Sequence, residues 1–244
     1  MKELLKRIFL VHKCVSCRKI LEYNDFDEAF CPDCKNLYLS AKMAICPECS
    51  QEAEKCRCMP PLIKKDEVVV LRKLFFYSKN KSSEPQNRLI YYIKKNKSKR
   101  VSRAIACELV PIIKAEAVRL NVQELPIVVS APRSKSALFE HGFDQADMIC
   151  RAIAENSVFE YCNVLKRRWG GGKQKALTAG ERRKNIKDLI YPDGAICDKI
   201  KGKTVILIDD VVTTGATMSA CIQTLKCCGA KKIVCISLAS DIKT

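Results

Sequence analysis

A chain of 244 residues, 48% of them hydrophobic, can bury one sizeable α/β core and carry a small appendage besides. Its 44 Lys and Arg against 27 Asp and Glu give a formal net charge of +17, and no apolar run approaches the roughly 18 residues that a membrane-spanning helix needs. The 16 cysteines do not make a secreted disulfide scaffold, because eight stand in paired spacings between Cys14 and Cys58 and the rest are scattered through apolar segments. Buried free thiols of that kind need a reducing compartment, so the expected location is cytoplasmic.

Met1 to Val11, interrupted by Lys2, Glu3, Lys6 and Arg7, reads as an amphipathic helix that packs on the neighbouring cysteine-rich segment and not as a secretory signal. Next come Cys14-x2-Cys17 and Cys31-x2-Cys34, separated by thirteen residues. A tetrahedral zinc ion takes four soft ligands, and each Cys-x2-Cys turn supplies two, so two such turns close a structural site. Cys46, Cys49, Cys56 and Cys58 form a second set whose last pair is Cys-x-Cys. One or two structural zinc ions are therefore expected. His12 is surplus as a ligand and is read as an exposed histidine. Met59 to Lys65, with Pro60 and Pro61, reads as a linker.

β structure is expected over Val68–Leu71 and Leu74–Tyr77, and helices over Pro85–Lys95 and Val101–Leu120. Between Lys81 and Arg103 stand eight basic residues (Lys81, Arg88, Lys94, Lys95, Lys97, Lys99, Arg100, Arg103) and one acid, Glu84. Such density suits phosphates or a nucleic-acid backbone, and equally a solvated face. Ile127-Val128-Val129 reads as a buried strand followed by the loop Ser130 to Ser136. In a parallel sheet, loops at the carboxyl ends of strands face the ligand. Helix Gln145–Glu155 and a strand over Tyr161–Leu165 come next. Lys166 to Lys187 then carries nine basic residues to one acid, with Trp169 beside three glycines. It suits a mobile lid over an anion, or a strip on which single-stranded nucleic acid stacks, with Arg167, Arg168, Trp169, Lys173, Arg182 and Arg183 in contact.

Val205 to Ile208 reads as a buried parallel strand, with Asp209 and Asp210 at its carboxyl end and a small-residue turn opening into a helix over Met218–Cys228. Two carboxylates can accept hydrogen bonds from vicinal ribose hydroxyls. A turn of Thr213, Thr214, Gly215, Ala216 and Thr217 aims amide N–H groups and a helix N-terminus at a phosphate. A Walker B strand, a flavodoxin-like site and a merely structural strand-turn-helix are the competing readings. The first lacks its partner loop, since Arg167 and Gln174 stand where Gly170-Gly171-Gly172-Lys173 would need glycine and Ser or Thr.

The stretch Val205 to Thr217 resembles the phosphoribosyl pyrophosphate (PRPP) signature of type I phosphoribosyltransferases, and the whole chain resembles the ComF family. That family joins a double zinc ribbon to the transferase fold. Arg88-Leu89-Ile90, Glu140 to Ala146, and Gln174, Leu177, Glu181, Arg182 and Asn185 match further family patterns, although His141 and Asp144 replace an arginine and an asparagine. The resemblance implies an α/β fold with a type I phosphoribosyltransferase-like parallel sheet over 66–244, a helix and double ribbon over 1–58, and a linker over 59–65. It implies that Asp209 and Asp210 bind the ribose hydroxyls of magnesium-bound PRPP, that Thr213 to Thr217 bind its 5′-phosphate, and that Arg133, Ser134, Lys135 and Ser136 bind pyrophosphate. Purine enzymes carry an Asp at the position of Thr213, which argues against a purine acceptor. The implied role is in DNA uptake and natural transformation, with single-stranded DNA and other competence proteins as partners. Two functions remain open: transfer of phosphoribosyl to an unnamed acceptor, or a nucleic-acid-binding module that keeps the PRPP pocket for regulation or phosphate contact.

Overall fold

The computed structural model describes residues 11–68, 70–78, 80–168 and 189–241. The helix expected over Met1–Val11 falls almost wholly outside them, as do Trp169, Lys173, Arg182 and Arg183.

The cysteine-rich unit uses one turn twice. Arg18 N–H donates to Cys14 O at 3.1 Å and Ser50 N–H to Cys46 O at 2.9 Å, and Arg18 and Ser50 both take left-handed backbone, at φ 67° and 55°. Each turn is closed by a single antiparallel bridge, Lys13 with Ile20 and Ile45 with Glu52. The halves then diverge. Cys31 precedes helix α1 (Pro32–Lys42), where proline fits the first turn because no intrahelical donor is needed there. Cys58 runs through Met59 and Pro60 into the short helix α2 (Pro61–Lys64), whose Ile63 is fully buried. His12 is not the exposed residue expected: its Nδ1 donates to Phe26 O at 2.8 Å and its ring stacks on Phe26.

β1 (Val70–Tyr77) is one continuous strand. It is followed by α3 (Pro85–Lys95), α4 (Lys99–Arg119), β2 (Ile127–Ser130), α5 (Lys135–His141) and α6 (Gln145–Glu155). A small hairpin, β3 (Leu165–Arg167) with β4 (Ile190–Pro192), precedes β5 (Thr204–Val212), α7 (Ala216–Cys227) and β6 (Lys232–Asp241). The main sheet is parallel throughout, in the order β1-β6-β5-β2. Tyr161 extends it past β2 by one parallel bridge to Val128, where a full strand over Tyr161–Leu165 was expected.

Both sheet faces are covered, which is why β5 and β6 read as almost unbroken buried runs. On one face Val128, Ile206, Ile208, Val234 and Ile236 pack against α3, α4 and α6 through Leu89, Ile90, Ile105, Leu109, Ile149 and Ile153. On the other, Val129, Val205, Leu207 and Cys235 meet Ile63 of α2 and Cys221, Ile222 and Leu225 of α7. The cysteine-rich unit joins the first core directly, with Cys14, Val15, Leu21, Phe30 and Tyr38 in the same apolar cluster as α3 and α4. Tyr38 Oη and Lys42 Nζ both donate to Glu108 Oε2 at 3.0 Å.

From β2 the chain moves outward to Tyr161 by way of α6; from β5 it moves the other way to β6 by way of α7. The reversal falls between β2 and β5. In open parallel sheets, the crevice at such a reversal is where loops from neighbouring strands part and leave room for a ligand.

Candidate functional site

The crevice between the carboxyl ends of β2 and β5 gathers the loop after β2, the turn before α6, the end of α3 and the Asp209–Thr217 stretch. β5 runs on through both acids to Val212, so Asp209 and Asp210 are successive strand residues and leave the backbone on opposite sides. Asp210, 7% exposed, accepts from Gln145 Nε2 at 2.7 Å and pairs with Lys94 Nζ at 3.5 Å. Asp209 accepts from the Asp210 amide at 2.8 Å. Burial, and then the charge of Asp210, push its carboxyl well above the usual carboxylate range. One buried polar atom here lacks a partner, Gln145 Oε1, while the equally unpartnered Ser237 Oγ sits beside Asp209 on β6, across β5 from β2. Burying such atoms unbonded costs about 1 to 3 kcal/mol each, which a polar ligand completing the bonds offsets.

Thr213 and Thr214 are exposed, and Gly215 caps α7 in left-handed backbone at φ 79°. The close approach made by this glycine is to the chain itself: an added Cβ would lie 2.8 Å from Ile63 Cγ1 and 3.4 Å from Pro60 Cβ. Ala216 and Thr217 are partly exposed and open a helix of 12 residues. The turn thus leads from the end of β5 into the N-terminal end of α7, with α2 packed against Gly215.

Arg133 is held on every side. Its Nη1 donates to Phe143 O and its Nη2 to Lys94 O, each at 3.1 Å, and its guanidinium lies over the Phe143 ring. It therefore clamps the end of α3 to the turn before α6. Ser134 caps α5 by accepting from Ala137 N–H at 3.4 Å, and Ser134 Oγ lies 3.3 Å from Ser136 Oγ. Lys135 and Ser136 begin α5, where a loop was expected. Asp144 caps α6, with Oδ1 accepting from Ala146 and Asp147 N–H while Oδ2 accepts from Arg133 N–H at 2.7 Å. An asparagine can make the first two bonds but not the third, since its amide nitrogen does not accept. The replacement of asparagine by Asp144 thus adds a bond that ties the loop after β2 to the start of α6.

Arg167 and Arg168 part company. Alternation along β3 turns Arg167 inward, where burial lowers its pKa and Asp209 and Cys221 are among its electrostatic neighbours. Arg168 is exposed and lies over the Tyr191 ring at 5.0 Å. In the earlier basic stretch, Arg88 donates to Ser16 O and Arg100 to Lys13 O, so both hold the cysteine-rich unit onto α3 and α4.

Within each cysteine set, Cys14–Cys17–Cys31–Cys34 and Cys46–Cys49–Cys56–Cys58, all four sulfurs lie within 4.8 Å of one another. Tetrahedral zinc with bonds of about 2.3 Å puts sulfurs about 3.8 Å apart. The Sγ atoms of Cys17 and Cys31, and of Cys49 and Cys56, stand at 3.6 Å, so both sets fit the ion. Burial works against ionisation of Cys14 and Cys46, but backbone N–H groups, those of Cys31, Cys17 and Ser16 for the first and of Cys49 and Glu48 for the second, prevail and lower each to about 7. One missed neighbour belongs here: Lys73 on β1, 1% exposed, donates to Cys56 Sγ at 3.2 Å and to Cys58 O at 2.7 Å. A lysine flanked by Arg72 and Leu74 within an apolar strand was the signal.

Residues 165–244 match the family model of the phosphoribosyl transferase domain. The matched part runs from β3 through β6 and so contains Asp209, Asp210 and the Thr213–Thr217 turn. Over nearly the whole chain the protein is similar to Competence protein F of Haemophilus influenzae, at 24% identity across 238 residues, 95% of this chain and 98% of that protein. It is also similar to the DNA utilization protein YhgH of Escherichia coli, at 25% identity over 154 residues. That match takes in 61% of this chain and spans 64% of the relative's length. Among solved structures, the Trypanosoma cruzi hypoxanthine phosphoribosyl transferase covers 59% of this chain and 66% of its own, at 14% identity and a TM-score of 0.38, a likeness too slight to carry weight. The ComF resemblance seen in the motifs is borne out, as is the parallel α/β sheet joined to N-terminal cysteine clusters fit for zinc. Among the described residues no helix is long and apolar enough to cross a membrane.

Proposed function

We propose that the protein binds PRPP with magnesium in the crevice between β2 and β5 and acts as a competence-related phosphoribosyltransferase-like protein. The observation that carries this reading is the meeting, at the sheet's reversal, of the acid pair Asp209–Asp210, the turn Thr213–Thr217 that opens α7, and the unpartnered Gln145 Oε1 bound through its amide to Asp210. In this reading the turn holds the 5′-phosphate, Asp209 and Asp210 hold the ribose hydroxyls, and the segment Arg133–Ser136 faces the pyrophosphate. The names of the relatives, a competence protein and a DNA utilization protein, support a role in handling DNA. Magnesium would neutralise pyrophosphate charge, and any transfer would rest on charge stabilisation and not on a dedicated acid or base. Calorimetry with magnesium-PRPP tests the site: Asp209→Asn combined with Asp210→Asn is expected to abolish binding, and an unchanged affinity would sink the assignment.

A second reading, single-stranded DNA binding, is favoured by the exposed Arg168 over Tyr191 at the root of the basic 166–187 segment. Retardation of labelled single-stranded DNA should weaken as salt rises and weaken further in Arg168→Ala. No retardation at low salt would remove this reading.

A further inference from the structure

The second cysteine set and the phosphate-facing turn are physically joined. Cys58 is followed at once by Met59, Pro60 and Pro61, and two residues later Ile63 lies fully buried against Gly215. Prolines fix φ, so this short strut has little torsional slack with which to absorb a movement of Cys58. Lys73 anchors the strut to the sheet, since its Nζ reaches both Cys56 Sγ and Cys58 O from within β1. A cavity of about 150 Å³ lies between the two parts, bounded by Cys46, Cys58, Pro60 and Lys73 on one side and Thr213 on the other. Among the described residues the first cysteine set has no such connection: Cys31 caps α1 and Cys34 lies within it, and α1 packs on α3 and β1.

We propose that the second cysteine set is a positioning element for the Thr213–Thr217 turn: with its metal bound, residues 56–63 hold Ile63 against Gly215, and Lys73 locks that strut to β1. A metal fixes the Cys56 and Cys58 sulfurs, as the outer partners of metal ligands fix the ligands in turn. The strut carries that constraint to Ile63, and Ile63 fills the space behind the glycine from which the turn and α7 both depart. Loss of the second metal therefore loosens the turn while leaving the first set and β2 in place. The proposal deepens the PRPP reading, because the turn it positions is the one assigned to the 5′-phosphate.

Amide hydrogen exchange followed by mass spectrometry decides it, on the full chain loaded with zinc. Cys58→Ser is expected to lower bound zinc from two ions to one, matching the two cysteine sets, and to raise exchange over 213–217 on the order of tenfold with 127–130 unchanged. Unchanged exchange over 213–217 at one zinc per chain, or an equal rise over 127–130, overturns the proposal. Should Cys58→Ser fail to fold, Ile63→Ala decides the matter. It should keep two zinc ions yet loosen 213–217, and an unaltered turn in that variant overturns the proposal equally. Because the readout uses no PRPP, a protein that fails to bind PRPP defeats the ligand assignment and leaves this test intact.

Discussion

Asp209 is surrounded by groups that oppose its ionisation: burial first, then Asp210 at its side and Asp144 nearby, while Arg167 on β3 feels its charge. A carboxyl whose folded pKa stands above its unfolded value stabilises the protein on the acid side and weakens it as pH rises from the unfolded value through the folded one. Any ligand that uses the ionised carboxylate must therefore displace a proton. Magnesium-PRPP binding is expected to release protons and to tighten from mildly acidic to neutral pH, by at most about tenfold per pH unit for one group. Calorimetry in buffers of different ionisation heat reads this, and identical heats in all of them would contradict it. The acid pair and the turn were legible in sequence because each residue type has one local chemistry. What Arg133 and Gly215 do was not, because their partners Phe143, Lys94, Ile63 and Pro60 arrive only through tertiary packing.

At the level of elements, β1, α4 and the second cysteine loop are tied at one buried acid. Glu116, 1% exposed on α4, accepts from Arg72 of β1 at 2.5 Å and from Arg119 at 2.6 Å, while Arg72 Nη2 donates to Glu54 O at 2.7 Å. Burial alone would raise its pKa, but the bonds from Arg119 and Arg72 outweigh it and the net shift is downward. The stability so gained is present above the unfolded value and is lost as pH falls through the lowered folded one. Glu116→Ala leaves Arg72 buried and unpaired, and should cost about 3 to 5 kcal/mol in urea denaturation at neutral pH. A cost within experimental error would show that the guanidinium finds another partner. Helices α3 and α6 were legible to the residue, since both are strongly amphipathic and start at a proline or a capping acid. Others were not, α1, α5 and β6 among them. α1 buries only Cys34 and Tyr38, α5 buries nothing, and the apolar run of β6 is broken by the hydroxyls of Ser237 and Ser240.

On the scale of the whole molecule, the cysteine-rich unit is part of the core that packs on the main sheet and not a bead on a string. Phe30 and Tyr38 lie in one apolar cluster with Phe75, Ile90 and Ile105, and Tyr38 meets Phe75 edge-on at 5.6 Å. Zinc ligation is folding free energy for such a unit. Stripping the metal with a chelator is therefore expected to lower the melting temperature of the entire protein by several degrees, since 1 kcal/mol corresponds to about 2 to 4 °C at this size. It should also expose the α3–α4 face to a hydrophobic dye. An unchanged melting curve after verified zinc removal would show the two units to be independent.

β6 lies between β1 and β5, although it is the last of the described strands. A nascent polypeptide leaving the ribosome therefore cannot close its sheet early. β1 must wait without its described partner until some 150 further residues have been made, and β5 waits for the same partner. The cysteine turns need only local sequence and can take up metal long before that. The growing chain thus carries a finished N-terminal cap over an unfinished sheet, and a stop codon shortly before Lys232 would strand two apolar strands at once.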